Sequence, residues 1–273
     1  MKIYKYLTFI LLLTFFPTKE VLFAQITEPE VLQIPRNISA LDENYSSGFG
    51  FNFLMNNFGF GTGMEFRRVI APQSEIMASL RITSLRDPSE QTFTDVFFGQ
   101  QVVPNKYQRA LAFPLMLGLR QRVFADTIND DYRFFLSASL GPAASFSYPY
   151  FNDINNNGFR EQFQGFVEPI NDFFTGWSDG SWQWGGAGEI KVAVDIGSNF
   201  SRLSSIEFGY FFYYFPDSIQ LMMPNQPVLR QNVGPGQSQF IFDDNGELVL
   251  EPFYDPQSFF GSPQITFTFG WLR

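Results

Sequence analysis

From Ser46 to the C-terminus, apolar residues alternate with small or polar ones at a period of two, in eight separate segments. That period puts every second side chain on one face of a strand, and it is incompatible with an amphipathic helix over the same residues. In the first segment Phe49, Phe51, Phe53 and Met55 share one face, while Gly48, Gly50 and Asn52 share the other. After a turn-like break at Asn56-Asn57-Phe58-Gly59, Phe60, Thr62, Met64 and Phe66 oppose Gly61, Gly63, Glu65 and Arg67. The remaining segments run over 76–83, 110–120, 132–141, 189–196, 206–214 and 264–271. Each is close to the ~10 residues that carry a tilted strand across a bilayer.

The interior of an eight-stranded barrel is only just wide enough for side chains to fill. The chain contains 36 Phe and is 19% aromatic, so bulky rings from nearly every strand would overfill such a space. Gly, Ala, Ser, Thr and a few charges fit it, so the aromatic face is expected outward. An apolar girdle of that size requires lipid. Reversing the faces gives a soluble exported barrel binding a hydrophobic ligand, the third of three readings.

Loop lengths point the same way. The link between the first two segments and segments 70–75, 124–131 and 197–204 are short, whereas links 84–108, 148–187 and 216–260 are long. If the first strand runs outward, the long links all lie outside, the asymmetry of an outer-membrane barrel with short periplasmic turns. The run 240–250, centred on Asn245-Gly246, reads as a hairpin. Counted as two spanning strands it would give ten; its short arms, flanked by Pro235 and Pro252, place it within the last external loop of an eight-stranded, closed antiparallel transmembrane β-barrel.

The run Tyr107-Gln108-Arg109-Ala110-Leu111-Ala112-Phe113-Pro114-Leu115-Met116-Leu117 and, after a turn, Phe134-Phe135-Leu136-Ser137-Ala138-Ser139-Leu140-Gly141-Pro142 resemble the core of small outer-membrane β-barrel domain proteins, a porin-like and OmpA-like group common in Bacteroidota. The terminal Phe267-Thr268-Phe269-Gly270-Trp271-Leu272-Arg273 is similar to their closing strand. The resemblance spans roughly 46–273. An aromatic last strand of this kind implies recognition by the barrel-assembly machinery, although this chain departs from the usual aromatic end with Arg273.

The first residues read as an address. Lys2 and Lys5 precede an apolar run from Leu7 to Phe16, too short to span as a helix but suited to a signal peptide. Cleavage after Ala24 would make 1–24 the signal peptide, 25–45 an exposed periplasmic N-terminal segment and 46–273 the barrel. The formal charge is −9, and loss of Lys2, Lys5, Lys19 and Glu20 takes it to −11, which argues against nucleic acid as a partner. The expected location is the cell outer membrane, the expected partner its lipid, and the expected state a monomer.

Chemistry is restricted by what is missing. With no Cys and no His, thiolate catalysis, Cys-based zinc sites and Ser–His–Asp triads are excluded. Asp243 and Asp244 sit in an apparent turn where adjacent acids are ordinarily solvated. No enzyme activity and no cofactor are expected. The charges assigned to the inner face are Glu65, Arg67, Arg81, Arg120, Arg133, Glu189, Lys191, Asp195 and Glu207. Their mixed signs suit either paired charges that plug the lumen or the lining of a narrow pore. The first gives a structural or surface-interaction barrel whose long external loops carry its function, with an unidentified surface ligand as the partner this reading allows; the second gives a small channel for ions or solutes.

Three loop features stand apart. Asp153-Ile154-Asn155-Asn156-Asn157-Gly158 matches the opening of a calcium loop, but its twelfth position is Gln164 rather than Glu, so an ordinary polar turn is the expectation. Phe173, Phe174, Trp177, Trp182 and Trp184 cluster in one long link, as a girdle, a loop cap or a binding patch. Asn37-Ile38-Ser39 and Asn44-Tyr45-Ser46 match a glycosylation tripeptide by composition alone.

Overall fold

Eight strands, each antiparallel to its sequence neighbours, form the ring: β1 (Ser47–Asn56), β2 (Gly59–Ala71), β3 (Ser74–Leu85), β4 (Gln108–Val123), β5 (Tyr132–Pro149), β6 (Ser181–Ile196), β7 (Arg202–Ile219) and β8 (Gln257–Leu272). The computed structural model describes residues 38–94, 101–128, 130–163, 166–197, 199–234 and 238–273. The expected signal peptide (1–24) and residues 25–37 lie outside the described residues. The ring is closed by β1 and β8, in register from Gly48 opposite Leu272 to Asn56 opposite Gln264. Closure removes every sheet edge, the condition for a β-structure to span lipid with its backbone groups satisfied.

The two faces follow the pleat. On β1 the inward Gly50, Asn52 and Leu54 are buried, and the outward Phe51, Phe53 and Met55 are exposed. The same division continues around the ring, where Phe60 is 78% exposed and Leu117, Leu140 and Ile190 also stand outward in the open. An apolar band on the outside and polar groups within make this a transmembrane barrel. The soluble reading, which needs the faces reversed, does not hold.

At one end the turns are short: 72–73, 124–131 and 197–201, beside the start of β1 and the end of β8. The other end carries the links 86–107, 150–180 and 220–256, together with the two-residue turn Asn57-Phe58. β5, β6 and β7 extend further into this end than the alternation indicated. Trp182 and Trp184, expected in a loop, therefore stand on β6, and Phe215, just past the alternating segment 206–214, stands on β7. Beyond the band, hydrogen-bonded pairing continues after the hydrophobic alternation has faded.

The 240–250 hairpin stays outside the ring, joined by the bridge between Phe242 and Leu248. Asp243 Oδ1 accepts from the Asn245 and Glu247 amides at 2.9 and 2.8 Å, and Gly246 takes φ +81° at the turn. That positive φ suits glycine.

Of the segment 25–45, expected to be exposed, the described part is exposed from Leu41 to Asn44 and covered on either side. Ser39 and Ala40 are buried, and Ala40 packs with Val69, Phe200, Leu203 and Leu272 across the short-turn end, against Ile38 and Tyr45. Ser39 and Asp42 exchange hydrogen bonds, the Ser46 amide donates to Arg273 O at 3.1 Å, and Arg122 Nη1 donates to Ile38 O at 3.2 Å. Ile38, Ala40 and Tyr45 find cover by folding onto the barrel end, while Leu41 stays exposed. Asn44, of the second glycosylation tripeptide, lies in this turn at φ +66°.

Candidate functional site

All nine charges assigned from sequence to the inner face are buried, and eight of them form one network. Arg81, on β3, grips Glu189 of β6 with both terminal nitrogens, at 2.6 and 3.0 Å. Glu189 also takes Lys191 Nζ at 3.0 Å and the Ser139 hydroxyl at 3.0 Å. Lys191 reaches Glu207 of β7 at 2.6 Å, and Glu207 meets Arg67 of β2 at 3.1 Å. Arg67 holds Glu65 at 2.5 Å and approaches Asp195 at 3.7 Å. Asp195 is forked by Arg120 of β4, with Nη1 at 3.0 Å from Oδ2 and a second contact from Nη2. Charges from β2, β3, β4, β6 and β7 thus cancel across the lumen, with geometry that satisfies several donors at once.

Arg133 stands apart. It donates to the carbonyls of Asp130 and Gly197, at 3.3 and 2.8 Å, and stacks 4.3 Å over Phe200 at the short-turn end. Three charged groups escaped the sequence assignment. Glu75 contacts Arg120 at 3.1 Å, and Arg122 pairs with Asp130 at 2.5 Å. Glu75 and Arg122 lie just past the ends of the alternating segments, and Asp130 sits in a turn.

The inner face is not only small and charged. Toward the long-loop end, Leu85, Met116, Phe211, Tyr213, Phe215 and Phe260 form a buried apolar cluster. Phe211 and Tyr213 meet edge to face at 4.6 Å, and the Tyr213 hydroxyl is 2.7 Å from Thr83 Oγ1. Gly209, inward on β7, makes the adjoining level possible: a Cβ there would lie 2.2 Å from Ile190 O and 2.6 Å from Lys191 Cγ. Below it, the Arg120 guanidinium sits 3.5 Å over the inward ring of Phe135. The lumen therefore has three levels: the N-terminal turn with its apolar cluster, the ion-pair layer, and the aromatic layer.

Over the long-loop end of the barrel the links are tied together. The Tyr107 and Gln108 amides donate to Leu221 O, and the Met223 amide donates to Asn105 O. The Tyr150 amide donates to Tyr107 O, while Asn225 Nδ2 donates to Asn157 O at 2.7 Å. Links 86–107, 150–180 and 220–256 carry four basic against thirteen acidic residues, a net of −9.

The Asp153–Gly158 turn uses its carboxylate internally: Asp153 accepts from the Asn157 and Gly158 amides at 3.1 and 2.9 Å. Gln164 lies outside the described residues, and no group of three or more metal-ligating side chains occurs among the described ones.

No protein-family model matches the chain, and no curated protein matches it. The resemblance to Bacteroidota barrel proteins thus rests on the residue patterns alone. Among solved structures the chain is similar to Ail, the attachment invasion locus protein of Yersinia pestis. Identity is 7% and the TM-score 0.36, over 84% of this chain and 99% of that chain.

Proposed function

We propose that this is a monomeric outer-membrane barrel with a sealed lumen, whose acidic cap of three tied loops is a contact surface for molecules outside the cell. Its short turns then face the periplasm, and the barrel-assembly machinery inserts it after export. The observation that carries the reading is the ion-pair layer enclosed between two apolar levels. Residues that neutralise one another are poorly placed to pull ions through, and a barrel that does not conduct leaves the loops as its working part. Loops also vary freely on a rigid scaffold.

The test is a strain lacking the protein, complemented either by the intact chain or by one with residues 153–169 and 226–251 replaced by short Gly–Ser links. Adhesion, aggregation and envelope integrity are then compared. The shortened chain is expected to insert, as shown by heat-dependent gel mobility, and to lose the phenotype. Full rescue by the inserted, shortened chain refutes the role of the loops.

A further inference from the structure

The outward rows of β4, β5 and β6 continue past the lipid-facing band, and there something covers the end of the β5 row. On β5 Leu140 is 67% exposed, yet Tyr148, eight residues further along the same row, is 1% exposed. The cover is segment 171–180, which folds back along the outside of the barrel. Phe173 and Trp177 lie 6.2 and 6.0 Å from the Tyr148 ring, and Trp177 also meets the outward Phe146 at 6.0 Å. Arg109, outward on β4, clamps the segment by donating to Asn171 O and Asp172 O at 2.9 and 2.7 Å.

The segment is built to present rings. Asp172 Oδ1 accepts from the Phe174 and Thr175 amides at 2.8 and 2.7 Å, closing a tight turn. Trp177 Nε1 donates to Phe173 O at 2.8 Å, so the indole spends its polar group internally. Phe174 is nevertheless 71% exposed, and Phe173, Trp177, Trp182 and Trp184 are exposed beside it. Trp182 joins this patch to the band through Phe146 at 4.9 Å and Phe113 at 5.6 Å.

Height identifies the occupant. A tilted strand crosses the hydrocarbon in ~9–11 residues. Counted from the exposed Tyr132, β5 leaves it between Leu140 and Pro142, which puts Phe146, Trp182 and the folded-back rings at the headgroup level. Aromatic side chains with one wet edge favour that zone, and here Asp172, Ser178 and Asp179 edge the patch. We propose that residues 171–182 form an interfacial anchor, with Phe173, Phe174, Trp177 and Trp182 docking into the lipid surface that surrounds the barrel. The patch lies on the flank, continuous with the lipid-facing band, and not on the cap. The proposal rests on the transmembrane fold and is independent of what the loops contact.

Because the chain has no Cys, single thiols can carry an environment-sensitive fluorophore. Phe174→Cys, Leu140→Cys and Asn245→Cys are labelled separately, and each chain is refolded into phosphatidylcholine vesicles with folding checked by heat-dependent gel mobility. The probe at 174 is expected to shift to the blue, to lose most of its emission to lipid bearing a shallow nitroxide, and to resist aqueous iodide. The probe at 245, on the distal turn, should show none of this, and the probe at 140 should respond to deep nitroxide. A probe at 174 that behaves like the one at 245 overturns the anchor. A silent probe at 140 overturns the fold instead, so the two failures are distinct. Phe173→Cys, at an exposed ring of the same patch, gives the same readout if Phe174→Cys does not fold.

Discussion

Replacing Glu189 by Leu should be among the most damaging single changes in the barrel. The carboxylate holds Arg81 at 2.6 and 3.0 Å, Lys191 at 3.0 Å and Ser139 at 3.0 Å. Without it Lys191 keeps Glu207 at 2.6 Å, but Arg81 retains only Glu65 at 3.9 Å. A fully buried guanidinium is then left almost uncompensated. Breaking one side of a buried pair costs about 3–5 kcal/mol; at ~1.36 kcal/mol per decade this is roughly two to three and a half decades in the unfolding constant. Replacing both Arg81 and Glu189 by Leu removes the stranded charge and should cost less than either single change, since a buried pair is about break-even against apolar residues. The assay is urea unfolding in lipid vesicles, followed by gel mobility and tryptophan emission. Single variants costing under about 1 kcal/mol, or a double variant costing the sum of the two singles, would refute the reasoning.

Three further outcomes follow from the levels of the lumen. Phe211→Ala, which opens a cavity in the buried aromatic layer, should cost about 3–5 kcal/mol, and outward Phe208→Ala clearly less because lipid can fill the gap; equal costs in urea titrations would mean the faces are misassigned. Tyr213→Phe strands the Thr83 hydroxyl and should cost about 1–2 kcal/mol by the same titration. Asp42 is held below the usual aspartate range, first by the Ser39 amide and then by the Ser39 hydroxyl. A lowered carboxyl stabilises its turn above the unfolded pKa, ~3.9, and loses that contribution as pH falls through the folded value. Hydrogen exchange at the Ser39 amide should thus be unchanged from neutral pH to about 5 and rise in stronger acid, corrected for intrinsic rates; no such rise would contradict the contact.

The strands were legible because lipid on one side and packed side chains on the other enforce alternation wherever the ring crosses the membrane. Their outer ends were not. In Ser181–Ala187, Trp182 and Trp184 face the lipid boundary while Gln183 faces the lumen mouth, and two glycines erase the rest of the pattern. The charged layer was readable by parity, since charge on the outward face at membrane depth is expensive. Parity was blind in Tyr210–Phe215, where both faces are aromatic; Phe211, Tyr213 and Phe215 turn inward although the composition suggested an interior without large rings. The folding of 38–46 onto the barrel end left no periodic trace, because a single turn is too short to show one. Nor could sequence separate the roles of the aromatic cluster, since its position depends on the clamp that Arg109 makes to a segment 62 residues away.

The central claim, a barrel sealed by its own side chains, is tested most directly by single-channel recording of the refolded chain in a planar bilayer, with insertion verified beforehand. The account predicts an inserted protein that is electrically silent. Reproducible conductance steps with an ion preference that changes in Arg120→Ala would contradict it and make the charged layer a pore lining.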